Sequence, residues 1–125
     1  QEVLQKITQA AYSFAALGYK KGDMIGIMSG PSPFWTIIDY AAMSIGLVVV
    51  PVFPNISEEN FHFETKQTGV KALFVGGANS WELVERNREY FRTIVDLEGT
   101  APFKDVVSFS DFLEKGRKLR EEQPD

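Results

Sequence analysis

The chain has 125 residues, about one ordinary domain, with 44% apolar and 24% charged residues, a globular rather than a disordered composition. A net charge of −4 gives no electrostatic case for nucleic acid, and the absence of cysteine removes disulfides, thiolate metal sites and a cysteine nucleophile, which fits a reducing cytosol. No run approaches the roughly 18 consecutive apolar residues of a membrane span, and the N-terminal QEVLQKITQAAYSF is too polar for a signal peptide.

Residues 2–17 place Val3, Leu4, Ile7, Ala10, Ala11, Phe14 and Leu17 at three- and four-residue steps, which predicts an amphipathic helix closed by Gly18. A Lys-Lys-Gly-Asp turn leads to Met24–Met28, a short apolar run expected to be a buried strand. Residues 34–45 are apolar on nearly all sides, with Asp39 the only charge, so this helix is expected to be covered on most faces. Gly46 ends it. Leu47–Phe53 reads as a second buried strand, with Pro51 at its end because proline cannot donate a ladder hydrogen bond.

Ser57 is a candidate N-cap for a helix running to about Thr68, with Glu58 and Glu59 in its first turn and Gly69 beyond its end. Lys71–Val75 is a third strand, and Asn79 with Glu82 forms a capping-box-like start to a helix of about ten residues. Thr93–Leu97 and Val106–Phe109 are the fourth and fifth strands. Ser110 is expected to cap a last helix, 111–122, whose interior Gly116 costs roughly 1 kcal/mol relative to Ala and whose Glu114 and Lys118 are spaced for an ion pair. Strands alternating with helices imply right-handed βαβ units: a single α/β unit with a mostly parallel three-layer sheet, helices on both faces.

Residues 26–35, GIMSGPSPFW, look at first like a phosphate loop. A P-loop needs a Lys and a hydroxyl after its glycines, but here Pro31 follows Gly30 and the next Lys is Lys66. Pro31 and Pro33 remove two amide donors, so Ser32 as N-cap and Pro33 as first helical residue is the better reading. The first strand ends without the paired acids of response-regulator receivers. Gly76-Gly77 lacks a nearby Lys or Arg, and His62 is a lone histidine without ligand-spaced partners. Asp39 reads as a partly exposed helix position, and Asn55-Ile56-Ser57, though it fits a glycosylation sequon, as a turn and cap. No residue is assigned a catalytic, cofactor-binding or metal-ligating role.

The segments in order nonetheless resemble one family. Gly22-Asp23 before the first strand, Ser32-Pro33-Phe34-Trp35 at a helix start, Gly46 through Pro51, and Phe53-Pro54 through Glu59 are similar to the N-terminal region of adenylate-forming enzymes. Gly69–Val75 fits the next strand. The tail SFSDFLEKGRKLREEQPD resembles bacterial long-chain fatty-acyl-CoA synthetases just before their nucleotide loop. Gly30 stands where the family commonly has Asn or Glu, and Glu64-Thr65 where it has apolar residues.

The resemblance implies an early part of the large N-terminal domain of a long-chain fatty-acid–CoA ligase. Such a ligase uses ATP and Mg²⁺ to form an acyl-adenylate and transfers the acyl group to coenzyme A. The lack of an initiator Met and the uncapped REEQPD end fit a fragment without the phosphate loop or C-terminal domain, expected to be inactive alone and to bind none of these cofactors. The resemblance transfers no catalytic residue. Trp35 and Tyr40 could approach an acyl tunnel, but core packing is the expected role of both. The implied localisation is cytoplasmic, at most peripheral to the membrane. The alternative is a stand-alone α/β interaction module that self-associates through an uncovered sheet edge.

Overall fold

Helices and strands follow one another in the order the hydrophobic spacing predicts, alternating except for two consecutive strands before the last helix. A computed structural model describes residues 2–28, 33–52, 57–66, 69–76, 81–99, 101 and 106–122. Helix α1 (Glu2–Ala16) leads to strand β1 (Met24–Met28), followed by α2 (Pro33–Ser44), β2 (Val48–Pro51) and α3 (Glu58–Lys66). Then come β3 (Val70–Val75), α4 (Trp81–Asn87) with a 3₁₀ turn over Arg88–Tyr90, β4 (Thr93–Asp96), β5 (Val107–Ser108) and α5 (Phe109–Glu122). Pro33 opens α2 as its first residue. Ser32, Gly30, Gly77 and Asn79 lie outside the described residues.

All five strands are parallel, in the order β2-β1-β3-β4-β5. The chain steps from β2 back across β1 to β3, so the connections reverse between β1 and β3. Strand residues alternate between two cores. Ile25, Ile27, Ala72, Phe74, Val95 and Leu97 face α1, α2 and α5, while Leu73, Val75 and Ile94 face Phe61 of α3 and Trp81 and Val84 of α4. The first core is an aromatic cluster, with Phe14 5.5 Å from Phe74 and 5.2 Å from Phe112 between ring centroids.

Helix ends follow their chemistry. Gly18 takes φ +87°, which lets the Tyr19 amide return to the Phe14 carbonyl at 3.0 Å and close α1. Ser57 caps α3 by accepting the Asn60 amide at 3.2 Å. Thr65, at a position where an apolar residue was expected from the family pattern, is buried and donates to the Phe61 carbonyl at 2.7 Å.

Four expectations are corrected. The cap of α5 is Ser108, not Ser110: its hydroxyl accepts the Asp111 amide at 3.0 Å, so the helix starts at Phe109, whose ring the core needs. Glu114 pairs with Arg117, which also meets Glu121, rather than with Lys118. Gly116 is more than a weak spot in a helix. A Cβ there would collide with the Gln9 carbonyl and the Ser13 side chain and lie 2.6 Å from the Ser13 amide, so α1 and α5 touch backbone to backbone. Gln9 reinforces the crossing by donating to the Leu113 carbonyl at 2.9 Å.

The fourth correction concerns β2 and α2. Among the described residues β2 is one edge of the sheet, and Val48 is 44% exposed rather than buried. Val48 and Val52 direct their amides to β1, donating to Asp23 and Ile27 carbonyls at 2.9 Å each, so Val49 and Pro51 turn outward. Pro51 has no amide, which leaves Val49 as the one outward donor and limits strand addition there. Helix α2 is not covered on nearly all sides: Tyr40 and Met43 are 55% and 62% exposed. They lie on the side of the helix turned away from Ile37, Ile38, Ala41 and Ala42, which are buried.

Candidate functional site at the carboxyl ends of the strands

Open parallel α/β sheets bind ligands outside the carboxyl ends of their strands, where the connections reverse. In this chain that point lies between β1 and β3. The strands there finish level with one another. The Gly76 amide donates to the Met28 carbonyl at 3.0 Å and the Leu97 amide to the Val75 carbonyl at 2.8 Å. The loops after β1 and β3 begin at this rim, but residues 29–32 and 77–80 lie outside the described set.

The loop after β4 is described and carries a buried acid. Asp96 is 7% exposed. Its Oδ1 accepts the Glu98 amide at 3.2 Å and the Gly99 amide at 2.9 Å, and its Oδ2 accepts the Ala101 amide at 3.0 Å. A buried carboxylate must be satisfied in this way, because its desolvation is otherwise too costly. Asp96 escapes sequence reasoning about the site. The Asp before Glu98-Gly99 at a strand end is the composition of a side-chain-closed turn, and that signal would have found it.

The opposite end of the sheet holds a denser polar network. Asp23 accepts the Lys20 amide at 2.9 Å and the Lys71 ammonium at 3.1 Å. Those two contacts, the amide first, hold its carboxyl below the usual aspartate range. Tyr19 donates to the Thr93 hydroxyl at 2.9 Å, and Arg92 lies 5.0 Å from its ring centre while donating to the Leu17 carbonyl. Burial pushes the Tyr19 phenol up, and the Thr93 hydrogen bond and the Arg92 charge oppose that. A cleft of about 260 Å³ opens here beside Thr65, Lys71, Tyr90 and Arg92. It is smaller than the roughly 300 Å³ at which ligand sites begin. It also sits at the amino ends of β3 and β4, and both cations already serve the fold. This end is structural.

The other residues singled out in the sequence do not converge. Asp39 is half-buried on α2, as expected, and Trp35 packs against the first core. Tyr40 is not in the core. His62 lies midway along α3, with its side chain outside the described set. Among the described residues no three His, Cys, Asp or Glu side chains come together to hold a metal ion. Asp96, the acid at the rim, spends both oxygens on loop amides, and the hydroxyls of Ser57 and Ser108 cap helices. The described residues therefore do not fit a cradle for Mg²⁺ or for nucleotide phosphates.

Fold and rim together define an open, parallel α/β unit with its ligand end at the strand carboxyl termini. The profile of the AMP-binding enzyme family matches residues 1–125, and the chain belongs to that family. It is 30% identical over 73 residues to Long-chain-fatty-acid–CoA ligase FadD15 of Mycobacterium bovis, covering 58% of this chain and 12% of that protein. Fatty acyl-CoA synthetase A of Dictyostelium discoideum is 28% identical over 115 residues, covering 86% of this chain and 17% of the relative. The chain thus spans less than a fifth of the length of either. The anthranilate CoA ligase AuaEII in complex with anthranoyl-AMP superposes with a TM-score of 0.81 at 19% identity, over 90% of this chain and 22% of the ligase. A putative long-chain-fatty-acid CoA ligase from Rhodopseudomonas palustris gives 0.78 at 15% identity, over 88% of this chain and 28% of the other. At these identities the superpositions establish the fold, which is the three-layer parallel sheet expected from the sequence. Among the described residues no helix is long and apolar enough to cross a membrane.

Proposed function

We propose that this chain is the early α/β unit in the large N-terminal domain of a long-chain fatty-acid–CoA ligase. The ligase joins a fatty acid to ATP as an acyl-adenylate, releasing pyrophosphate, and coenzyme A then displaces AMP. The observation that carries the reading is the family match across residues 1–125, supported by the fatty-acyl-CoA ligases among the relatives. Mg²⁺, when bound, neutralises phosphate charge in such a reaction. The described residues do not fit it, and we place its ligands and the phosphate loop outside this segment. The role of this chain is then to supply one rigid wall and its rim loops. A cytoplasmic enzyme, at most peripheral to the membrane, is consistent with the composition.

The test is fatty-acid-dependent exchange between ATP and pyrophosphate. The protein that carries this segment and continues past Asp125 is expected to exchange, and residues 1–125 alone are not. Exchange by the isolated 125 residues contradicts the placement of the phosphate loop elsewhere. No exchange by the longer protein with any long-chain fatty acid contradicts the activity. Reading the gene past Asp125 gives a quick check: a Thr-, Ser- and Gly-rich loop followed by Lys supports the ligase, and a stop codon favours a stand-alone module.

A further inference from the structure

We propose that the outward face of α2, built on Asp39, Tyr40 and Met43, is an internal docking surface. A segment of the same polypeptide outside residues 1–125 covers it in the full-length protein. That segment presents an apolar surface with one cationic or hydrogen-bond-donating side chain for Asp39. The inference rests on the longer protein of the ligase reading, and it adds the place where two parts of that protein meet.

Helix α2 is composed like a helix with structure on both sides. Its inward residues Ile37, Ile38, Ala41 and Ala42 are buried in the first core. Thr36, Asp39, Tyr40 and Met43 follow one another at three- and four-residue steps and share the opposite face. The exposed positions of α2 are Thr36, Tyr40, Met43 and Ser44, none of them charged, whereas α4 turns Glu82, Glu85 and Arg86 to solvent. Single exposed apolar residues are ordinary on a protein surface, but two on successive turns of a helix without exposed charge mark a contact. Asp39 adds a second, independent sign. It is half-buried and has no hydrogen bond or ion pair among the described residues. A carboxylate partly withdrawn from water calls for a partner.

Charge and chain length select the occupant. No Lys or Arg lies on α2, so a second copy docked face to face would meet Asp39 with the same acid-bearing surface and supply no cation. The rest of a longer polypeptide has no such restriction. The chain spans 12% and 17% of the two fatty-acyl ligases it matches and 22% of the superposed anthranilate CoA ligase. In a protein of that size most of the polypeptide is tethered to this unit, which holds it at high effective concentration beside the α2 face. An uncharged apolar face suits such a permanent contact better than a transient one.

The experiment reads Met43 in the purified full-length protein. In the first arm, peroxide oxidation of Met43 is followed by peptide mass spectrometry in folded and in urea-unfolded protein. Oxidation is expected to be at least about tenfold slower in the folded protein. It should stay slow on dilution across about two orders of magnitude in concentration. In the second arm, a photoreactive diazirine analogue replaces methionine, and the crosslinks formed from position 43 are mapped. They are expected on residues of the same polypeptide outside 1–125. Met43 oxidising as fast in folded as in unfolded protein overturns the proposal. Protection that dilution removes, or a crosslinked dimer, also overturns it, because a second copy is then the cover. Crosslinks confined to residues 1–125 do the same. Pyrophosphate exchange is measured on the same preparation. Protected Met43 without exchange contradicts the ligase reading and leaves the docking surface standing, while exchange with an open Met43 contradicts the docking surface alone.

Discussion

The two ends of the sheet are built on opposite plans. At the amino end, side chains bind one another across elements: Asp23 to Lys71, Tyr19 to Thr93, Arg92 to the Leu17 carbonyl and the Tyr19 ring. At the carboxyl end Asp96 holds the amides of its own loop, and Ser108 caps the start of α5. Cross-element bonds fix the strands relative to the turns before them. Local bonds shape a surface and leave it free to meet something else. The larger concentration of charge, and the cleft beside it, therefore mark the wrong end for chemistry in this fold.

Both ends hang on the same cores, so the largest expected effect comes from breaking a core rather than an end. Gly116→Leu forces a side chain into the contact between α5 and the Gln9–Ser13 backbone. Overpacking of that kind should cost about 3 kcal/mol or more, and a circular dichroism melt should show α5 detached or cooperative unfolding lost. A melt like wild type would mean that the two helices are not in contact at Gly116.

The amino end is broken next by Tyr19→Ala, which removes a buried ring and its hydrogen bond. A loss of about 3 kcal/mol in urea unfolding is expected, whereas Tyr19→Phe should cost about 1 kcal/mol because only the bond to Thr93 goes. Neither change should alter KM in the full-length protein once the fold is maintained. A selective KM effect from Tyr19→Phe would put ligand at the end assigned to structure.

Asp23→Asn should have the smallest effect, and it depends on pH. The folded-state pKa of Asp23 is depressed, so its contribution is complete above the ordinary aspartate value of about 3.9 and is lost as pH falls through the folded value. Melts of wild type and Asp23→Asn should differ at pH 7 and converge near pH 2. A gap that stays constant across that range would show that the Lys20 and Lys71 contacts do not favour the charged form.

Much of the architecture is legible in the residues because burial imposes a period on them. The 3.6-residue spacing from Val3 to Leu17 and the unbroken MIGIM run both carry their structure locally, and β1 falls on Met24–Met28 as expected. Turn chemistry is equally local, so Gly18, Gly46 and Gly69 all show positive φ where helix ends were expected. What escapes local reading is set by distant partners. Gly116 carries no sign in its own helix that Ser13 comes within van der Waals reach. Ser108 and Ser110 are equally good caps until the core claims Phe109. The β-branched run around Val48 looks buried, but edge position depends on strand order, which no single segment encodes. At the site, the rim follows from topology alone, while Asp96 required knowing that three loop amides turn back toward β4.

The division between the two ends is tested most directly by hydrogen exchange on the full-length protein, with and without a non-hydrolysable long-chain acyl-adenylate. The expected protection lies at the carboxyl rim, at Gly76 and at Leu97 through Ala101, with Val70, Lys71 and Arg92 at the amino end unchanged. Protection confined to the cleft beside Lys71 and Arg92, with the rim unmoved, would contradict it.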